Sequence, residues 1–478
     1  MKIRILVGIL VLTLVIGNAA ALDTKFTIDL DSELFKVDYS GEDETTTFSS
    51  IDGTSGSEWN YDNSELDWVL SDDKGRFGGR IRLNITSALA PSLDNTFNNI
   101  EAWVMLGDYL RITGGRITSN PTARLNSIID DLHLGQHLGP MVGTQTVWNL
   151  FRTDHLIWDG SSPTTGVYVG NESRYQYDKL GLGGRNLEWM ADFYPGKFLG
   201  KDITLSAALF DTLSAIIDKD KNSDNGDGQI IGGVGARVSG KFSDAVKVNL
   251  TYRYQRLTPT EGIKEYISSN THMYRNNVGL YAELNLLKGL DIVAGYGGSF
   301  GYTPYTDETT IVQLKRLKDF SDSSDMFNGI DLRVQFSGIS GITLVSHNNV
   351  SFGEDMVRAV YDTTGPLNGK DYEYGWQYFG LYNAIGLRFA LTGALNLDLV
   401  VSNWFDRITD VNKSDGSGDD VVTSTDKLVA GPALRWAVTP YAEFRFALQF
   451  AGKFTNFDGE QYKPDLAFSI PVGITLKF

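Results

Sequence analysis

The final stretch of the chain restricts its fold more than any other part. From Leu466 to Phe478, apolar residues alternate without a break with small or polar ones. Side chains of a β-strand point alternately to its two faces, so this pattern predicts a strand with one continuous apolar face. Such a face, ending in a terminal Phe, suits a strand with lipid on one side and water on the other. Pro471 lacks an N–H group and therefore requires a weak point in the hydrogen-bond ladder. The apolar positions are Leu466, Phe468, Ile470, Val472, Ile474, Leu476 and Phe478.

The amino-terminal segment, residues 1–21, has the three parts of a secretory signal. Lys2 and Arg4 supply positive charge, residues 5–16 are apolar, and residues 19–21 are alanines that provide a cleavage site. The apolar part is shorter than the roughly 20 residues that a membrane-spanning helix needs. We therefore expect residues 1–21 to be removed on export, leaving residues 22–478 as a single transmembrane barrel.

Between these ends, short alternating segments recur along the chain. None is long and apolar enough for a spanning helix, so residence in a membrane would require a closed barrel. Tight turns, such as residues 72–75, 107–108 and 288–289, alternate with much longer connections. Outer-membrane barrels have short periplasmic turns and long outer loops. The pattern predicts about 18 strands, with 16 as the nearest alternative, and an even number returns both termini to the periplasm.

The export signal, the terminal strand and the strand rhythm together resemble the bacterial outer-membrane β-barrel proteins, and the architecture is porin-like. In that family the last strand commonly ends in Phe, as at Phe478 here, and the barrel assembly machinery recognises it. The resemblance implies an all-β, transmembrane antiparallel β-barrel surrounded by outer-membrane lipid. It leaves a homotrimer and a monomer both open. A barrel of about 16 to 18 strands has room for an aqueous channel.

Charged residues recur on the strand faces opposite the apolar rows. In general porins, which this chain resembles, basic wall residues face acidic residues of a loop folded into the lumen, and the resulting field orders polar solutes. The alternative is that these charges neutralise one another along a wet wall. The candidate wall residues are Arg80, Arg82, Arg111, Arg253, Arg333, Arg388, Arg435, Glu443 and Arg445.

One connection is far longer than the others. Residues 119–180 lose clean alternation over about 60 positions, well beyond the usual length of a structureless loop. We expect this loop to fold into the lumen as a constriction, with an outward receptor-binding or lid-like loop as the alternative. Its candidate lining residues are Arg124, Asp130, Asp131, Arg152 and Asp154.

Charged and aromatic residues are unevenly distributed. The net charge of −17 argues against a nucleic-acid partner, and acidic residues cluster in two predicted loops, at 42–65 and 406–420. Aromatic residues near predicted strand ends, among them Trp103, Trp189 and Trp436, predict interfacial girdles. The chain has no Cys, which excludes a lipoprotein anchor, disulfides and thiolate metal sites.

Signals for chemistry are weak. His133 and His137 could share a helical face, but no third zinc ligand accompanies them. Residues 218–227 form an acidic, Gly-containing turn, but Gly is absent from the sixth position of a calcium loop and no Glu occupies the twelfth. His347 and Ser351 share a strand face, but four residues of strand separate them too widely for direct hydrogen bonding. We therefore expect no enzyme activity, no metal and no cofactor.

These observations favour a water-filled channel for passive diffusion of small hydrophilic solutes or ions. The competing interpretation is a surface adhesin or receptor whose barrel displays acidic loops. The two differ in whether solutes cross the lumen, and the lumen face mixes both signs of charge, so the sequence predicts no preferred solute.

Overall fold

The computed structural model describes twelve stretches of the chain, and every regular element in them is a β-strand. Among the residues described, no helix is long and apolar enough to cross a membrane. The described ranges are 22–40, 43–50, 65–72, 74–84, 97–116, 187–195, 202–210, 229–258, 273–302, 322–360, 371–412 and 420–478.

The strand segments form one closed antiparallel sheet. The first eleven are β1 Leu22–Ser40, β2 Asp43–Ser50, β3 Glu65–Asp72, β4 Phe77–Asn84, β5 Phe97–Leu106, β6 Leu110–Arg116, β7 Leu187–Phe193, β8 Asp202–Phe210, β9 Gln229–Ser243, β10 Val246–Thr258 and β11 Met273–Leu287. The others are β12 Leu290–Tyr302, β13 Asp322–Ile339, β14 Ile342–Val360, β15 Asp371–Ala390, β16 Leu395–Asn412, β17 Val421–Thr439, β18 Ala442–Ala447, β19 Gln449–Phe457, β20 Glu460–Gln461 and β21 Asp465–Lys477.

In three places, two consecutive segments together make one barrel strand. β2 and β3 pair with successive parts of β1, and β18 and β19 pair with successive parts of β17. β20 and β21 likewise both pair with β19. The 21 segments therefore make a barrel of 18 strands, which confirms the predicted architecture and strand number.

The barrel closes where the first strand meets the last. β1 pairs antiparallel with β21 from Thr27 opposite Lys477 to Ser40 opposite Asp465. At the chain end, the N–H of Phe26 donates to the carbonyl of Phe478 at 3.0 Å, and the N–H of Phe478 donates back at 2.8 Å. Closure leaves neither strand with an open edge toward lipid.

Pro471 lies at the weak point that its missing N–H requires. On one side it faces Glu33, where the β1 ladder shifts register. On its other side the partner strand is interrupted at Leu448, between β18 and β19. Both neighbouring ladders are therefore irregular at the height of the proline.

The two faces of the sheet differ sharply in exposure. Leu209, Val238 and Leu250 are 43%, 47% and 47% exposed, and they lie on the outer face. Ala208, Arg237 and Asn249, each one residue earlier in the chain, are 5%, 8% and 1% exposed and lie on the inner face. An apolar outer face and a polar inner face are the arrangement of a barrel surrounded by lipid.

Seven tight connections within the described residues, from β3–β4 to β17–β18, lie at one end of the barrel. Backbone hydrogen bonds join neighbouring turns around this rim, for example Tyr194 to Tyr109, Ser337 to Gly289 and Lys477 to Tyr441, at 2.7–2.9 Å. Since Lys477 belongs to the terminal strand and Phe26 pairs with Phe478, the start of β1 and the end of β21 lie at the same rim. Which side of the membrane this rim faces remains a prediction.

The predicted acidic loops are partly strand. β2 occupies residues 43–50, and β16 continues to Asn412. In both places a polar sequence is held in the sheet by a neighbouring strand, β1 for β2 and β17 for β16. Where the apolar periodicity ends, we infer that the wall is no longer in contact with lipid. The strand continues there because its backbone groups still form hydrogen bonds with a neighbouring strand.

Replacing Phe478 with Asp should lower the amount of inserted barrel more than replacing Phe242 with Asp. Phe478 is 70% exposed and ends the closing strand beside Phe26, and Phe242 is 65% exposed on the outer face of β9. The reason is that only Phe478 belongs to the predicted assembly signal. Immunoblots of purified outer membranes measure the difference, and equal levels of the two variants would contradict it.

Candidate functional site

Four of the nine predicted wall residues form cross-strand ion pairs on the inner face. Arg80 of β4 pairs through two nitrogens with Asp67 of β3, with Nε 2.8 Å from Oδ1. Arg388 of β15 donates to both carboxylate oxygens of Asp398 on β16, at 2.8 and 2.7 Å. In these two places the inner wall is therefore charged and neutralised in pairs.

The remaining predicted wall residues occupy the same face. Arg435 Nε lies 2.7 Å from Glu443 Oε1, and Arg445 lies directly opposite Arg435 on the neighbouring strand. Arg82 and Arg253 stand at inward positions of β4 and β10, opposite Asn99 and Asn277, and their side chains lie outside the described part. The predicted loop 119–180 also lies outside the described residues, together with Arg124, Asp130, Asp131, Arg152 and Asp154.

A row of polar side chains crosses the inner wall from β6 to β9. The register places Arg111 opposite Asp192, Asp192 opposite Ser206, and Ser206 opposite Arg237. The Arg237 guanidinium reaches Asp192 at 3.0 Å and the Ser206 hydroxyl at 2.9 Å. This pair is buried, so its charges interact more strongly than they would at a solvated surface.

This row borders a recess of about 310 Å³ in the inner wall. Three cationic side chains line it, Arg111, Arg237 and Lys247, together with the carboxylates of Glu101 and Asp192. Lys247 is also 2.9 Å from Glu283 on β11. Charges of both signs facing one small space create a local field across it.

Two hydroxyl groups line the recess, and an aromatic ring contacts one of its arginines. Tyr194 lines it just beyond the end of β7, and burial and then the neighbouring Asp192 carboxylate raise the pKa of its hydroxyl, which stays protonated. Thr113 is 1% exposed, and its hydroxyl has no hydrogen-bond partner within the described residues. The Arg111 guanidinium stacks over the Trp103 ring, 4.6 Å from its centroid. Stacking fixes the position of the guanidinium, which also interacts with the Tyr194 hydroxyl.

Several of these residues were not predicted, and one was predicted wrongly. Trp103 does not belong to an interfacial girdle, because Ala102 and Val104 face outward and parity turns Trp103 to the inner face. Trp189 and Trp436 do lie on the outer face, 49% and 52% exposed. The same alternation predicts that Arg237 points inward, since Ala236 and Val238 lie on the outer face.

A second buried cluster lies on the opposite part of the wall. Arg333 of β13 is 2% exposed and stands opposite His347 of β14. The His347 ring meets Tyr382 edge-on, with centroids 5.0 Å apart. The His347 side chain is thus buried against neighbouring side chains of the inner wall. In the described residues, no group of three or more imidazole and carboxylate side chains could hold a metal ion.

No protein-family model and no curated protein sequence matches the chain. The chain is similar to solved outer-membrane proteins. An anion-selective porin from Comamonas acidovorans is 9% identical over 96% of this chain and 100% of that one, with a TM-score of 0.45. The outer membrane channel DcaP of Acinetobacter baumannii is 9% identical over 96% and 99%, with a TM-score of 0.41. The outer membrane protein opdK from Pseudomonas aeruginosa is 10% identical over 95% and 99%, with a TM-score of 0.40.

The architecture of this chain is that of a membrane-spanning antiparallel β-barrel. Its closed sheet of 18 strands has an apolar outer face, which only a lipid surrounding accommodates over so large an area. The polar inner wall is what separates such a barrel from a soluble one, whose interior is filled with apolar side chains.

Replacing Arg388 with Ala should lower the free energy of unfolding by roughly 3–5 kcal/mol, because it leaves a buried carboxylate without its partner. The Asp398 side chain is 0% exposed. Arg435→Ala is the matched control, and should cost about 1 kcal/mol or less because Arg435 and Glu443 remain partly exposed. Denaturant unfolding in detergent, followed by circular dichroism, measures both. Equal losses would contradict the difference in burial.

Proposed function

We propose that this protein is an outer-membrane channel for passive diffusion of small hydrophilic solutes or ions. The observation that carries the proposal is the inner wall, where charged side chains of both signs recur from β3 to β18. Such a wall cannot form a dry core, because buried charges away from their partners or water are costly. A barrel of this strand number has room for water along its axis.

The recess between β5 and β10 is the proposed contact point for solutes on this wall. It presents three cationic groups and two carboxylates within one space, so a polar solute would be oriented as it passes. Arg111 is the best-placed group, since the Trp103 ring holds its guanidinium in position. The pairing of neighbouring charges limits the net field and favours weak, reversible contacts.

The proposal includes the loop 119–180, folded into the lumen as a constriction. Its candidate lining residues remain Arg124, Asp130, Asp131, Arg152 and Asp154. We also propose that the signal 1–21 is cleaved, that the barrel assembly machinery reads Phe478, and that both termini face the periplasm. Support for the last point is that the tight turns share a rim with the start of β1 and the end of β21, and outer-membrane barrels place short turns in the periplasm.

Planar-bilayer recording tests the channel directly. Purified protein should give stable ohmic steps, and deletion of residues 120–180 should raise the conductance if the loop narrows the lumen. Heat-modifiable migration on a denaturing gel verifies that each preparation is folded. A folded, inserted barrel without conductance would contradict the proposal and favour the adhesin or receptor interpretation. Unchanged conductance in the deletion variant would contradict the inward loop alone.

Replacing Arg111 with Ala should shift the ion permeability ratio toward cations. One unit charge acts on an ion 4 Å away with about 1 kcal/mol in water, so the shift should be at most about fivefold. Reversal potentials in a salt gradient measure it. Lys288→Ala removes the same charge from the exposed β11–β12 turn and should have a smaller effect. Equal shifts in both variants would contradict a role for the recess.

A further inference from the structure

Three asparagines lie side by side on the outer face of the barrel. The register places Asn348 of β14 opposite Asn383 of β15, and Asn383 opposite Asn403 of β16. We call these three residues the asparagine patch. The surrounding outer face is apolar, with Ile385 57% and Val401 52% exposed. Amides therefore interrupt a surface that faces lipid.

The asparagine patch lies within the apolar band, not at its border. On β15 the outward residues on one side of Asn383 are Ile385, Leu387 and Phe389, and on the other side are Leu381 and Phe379. With about 3.3 Å per residue and a tilt of about 40°, Asn383 lies about 15 Å above Phe389. The apolar band of such barrels is about 25 Å tall. Hydrocarbon supplies no hydrogen bond at this depth.

Only the two outer members of the patch have partners in the described part of the barrel. Asn348 Nδ2 donates to the Ser346 hydroxyl at 2.9 Å, and Asn403 Nδ2 donates to the Asp426 carboxylate at 2.5 Å. Asn383, the central residue, is exposed, and its amide makes no hydrogen bond to any described residue. An amide in this state is unfavourable in lipid because both its donor and its acceptor lose water.

In one direction along the sheet, this row is apolar as far as β9. Following the same register away from Asn348 leads through β13, β12, β11 and β10 to β9 without a polar side chain. The residues met are Leu332, Ala294, Ala282, Val248 and Gly240. Two other polar pairs on the described outer face satisfy each other, since the Tyr252 hydroxyl donates to Asn276 at 2.7 Å and the Tyr296 hydroxyl donates to Asn328 at 2.6 Å.

We propose that the outer face of β14–β17, centred on Asn383, binds a second copy of this chain through a two-fold symmetric contact. A carboxamide is both donor and acceptor, so two Asn383 amides facing each other satisfy one another reciprocally. Ile385, Val401 and Phe379 would pack around them as the apolar part of the interface. Polar side chains between membrane-spanning segments stabilise association in the same way.

The self-pairing contact satisfies the patch better than a three-membered ring would. A ring joins two different faces of each subunit, so the patch would meet another part of the outer wall. Along its row, the described wall offers only apolar residues from β9 to β13. Within that row, the Asn383 amide would meet no hydrogen-bonding side chain. The inference concerns the outer surface and does not depend on what the lumen conducts.

Cysteine crosslinking tests the contact cleanly, because the natural chain has no Cys. Ile385→Cys leaves Asn383 in place and should give a covalent dimer with a membrane-permeant bismaleimide in intact outer membranes. Leu250→Cys is the matched control, since Leu250 is 47% exposed at a similar depth on β10, outside the patch. It should give little or no dimer. Denaturing gels and intact mass measure the products.

A second variant tests whether the Asn383 amide itself stabilises the contact. Adding Asn383→Leu to Ile385→Cys should reduce the dimer yield at least about fivefold, while heat-modifiable migration shows that the barrel still folds. Light scattering of the wild-type barrel in mild detergent should give twice the monomer mass. Equal yields from both cysteine positions would overturn the proposal. So would a monomer or three-copy mass, an adduct with another protein, or a yield that Asn383→Leu leaves unchanged.

Discussion

The barrel depends above all on the hydrogen-bond ladder between its first and last strands. Hydrocarbon satisfies no backbone group, so an open sheet would leave a row of N–H and C=O groups unpaired at each edge. β1 and β21 remove both edges at once. Even the residue that cannot donate, Pro471, lies where the ladders on both of its sides are interrupted. Closure of the sheet therefore accounts for where the ladders are irregular as well as for their regular pairing.

Closure makes the two faces of every strand unequal, and the polar residues on each face follow from that. Inside, charges are tolerated because cross-strand neighbours neutralise them, as in Arg388 with Asp398 and Arg237 with Asp192. Outside, no such compensation is available from lipid, so the asparagine patch is a local exception to an apolar wall. The same physical cost therefore explains the pairing of charges inside and points to a protein partner outside.

Much of the wall could be predicted because the signal is local. Strand number, the outward rows and the terminal strand all follow from an alternation that each strand carries by itself. Trp103 shows how the prediction fails: its aromatic type suggested a girdle, whereas its parity with Ala102 and Val104 turns it inward. Arg237 was missed for a related reason, because glycines obscure the alternation of β9. Parity is the more reliable guide, since it follows from backbone geometry and not from residue preference.

The face that each strand residue takes can be read from the amino-acid order alone, because the period of two is a property of a single extended chain. Which residues meet across strands depends on the assembled sheet, because register is set by the relative shift of neighbouring strands. Arg111, Asp192, Ser206 and Arg237 form one row only in that register. The asparagines of β14, β15 and β16 are likewise scattered along the chain, and become one surface only when the sheet aligns them.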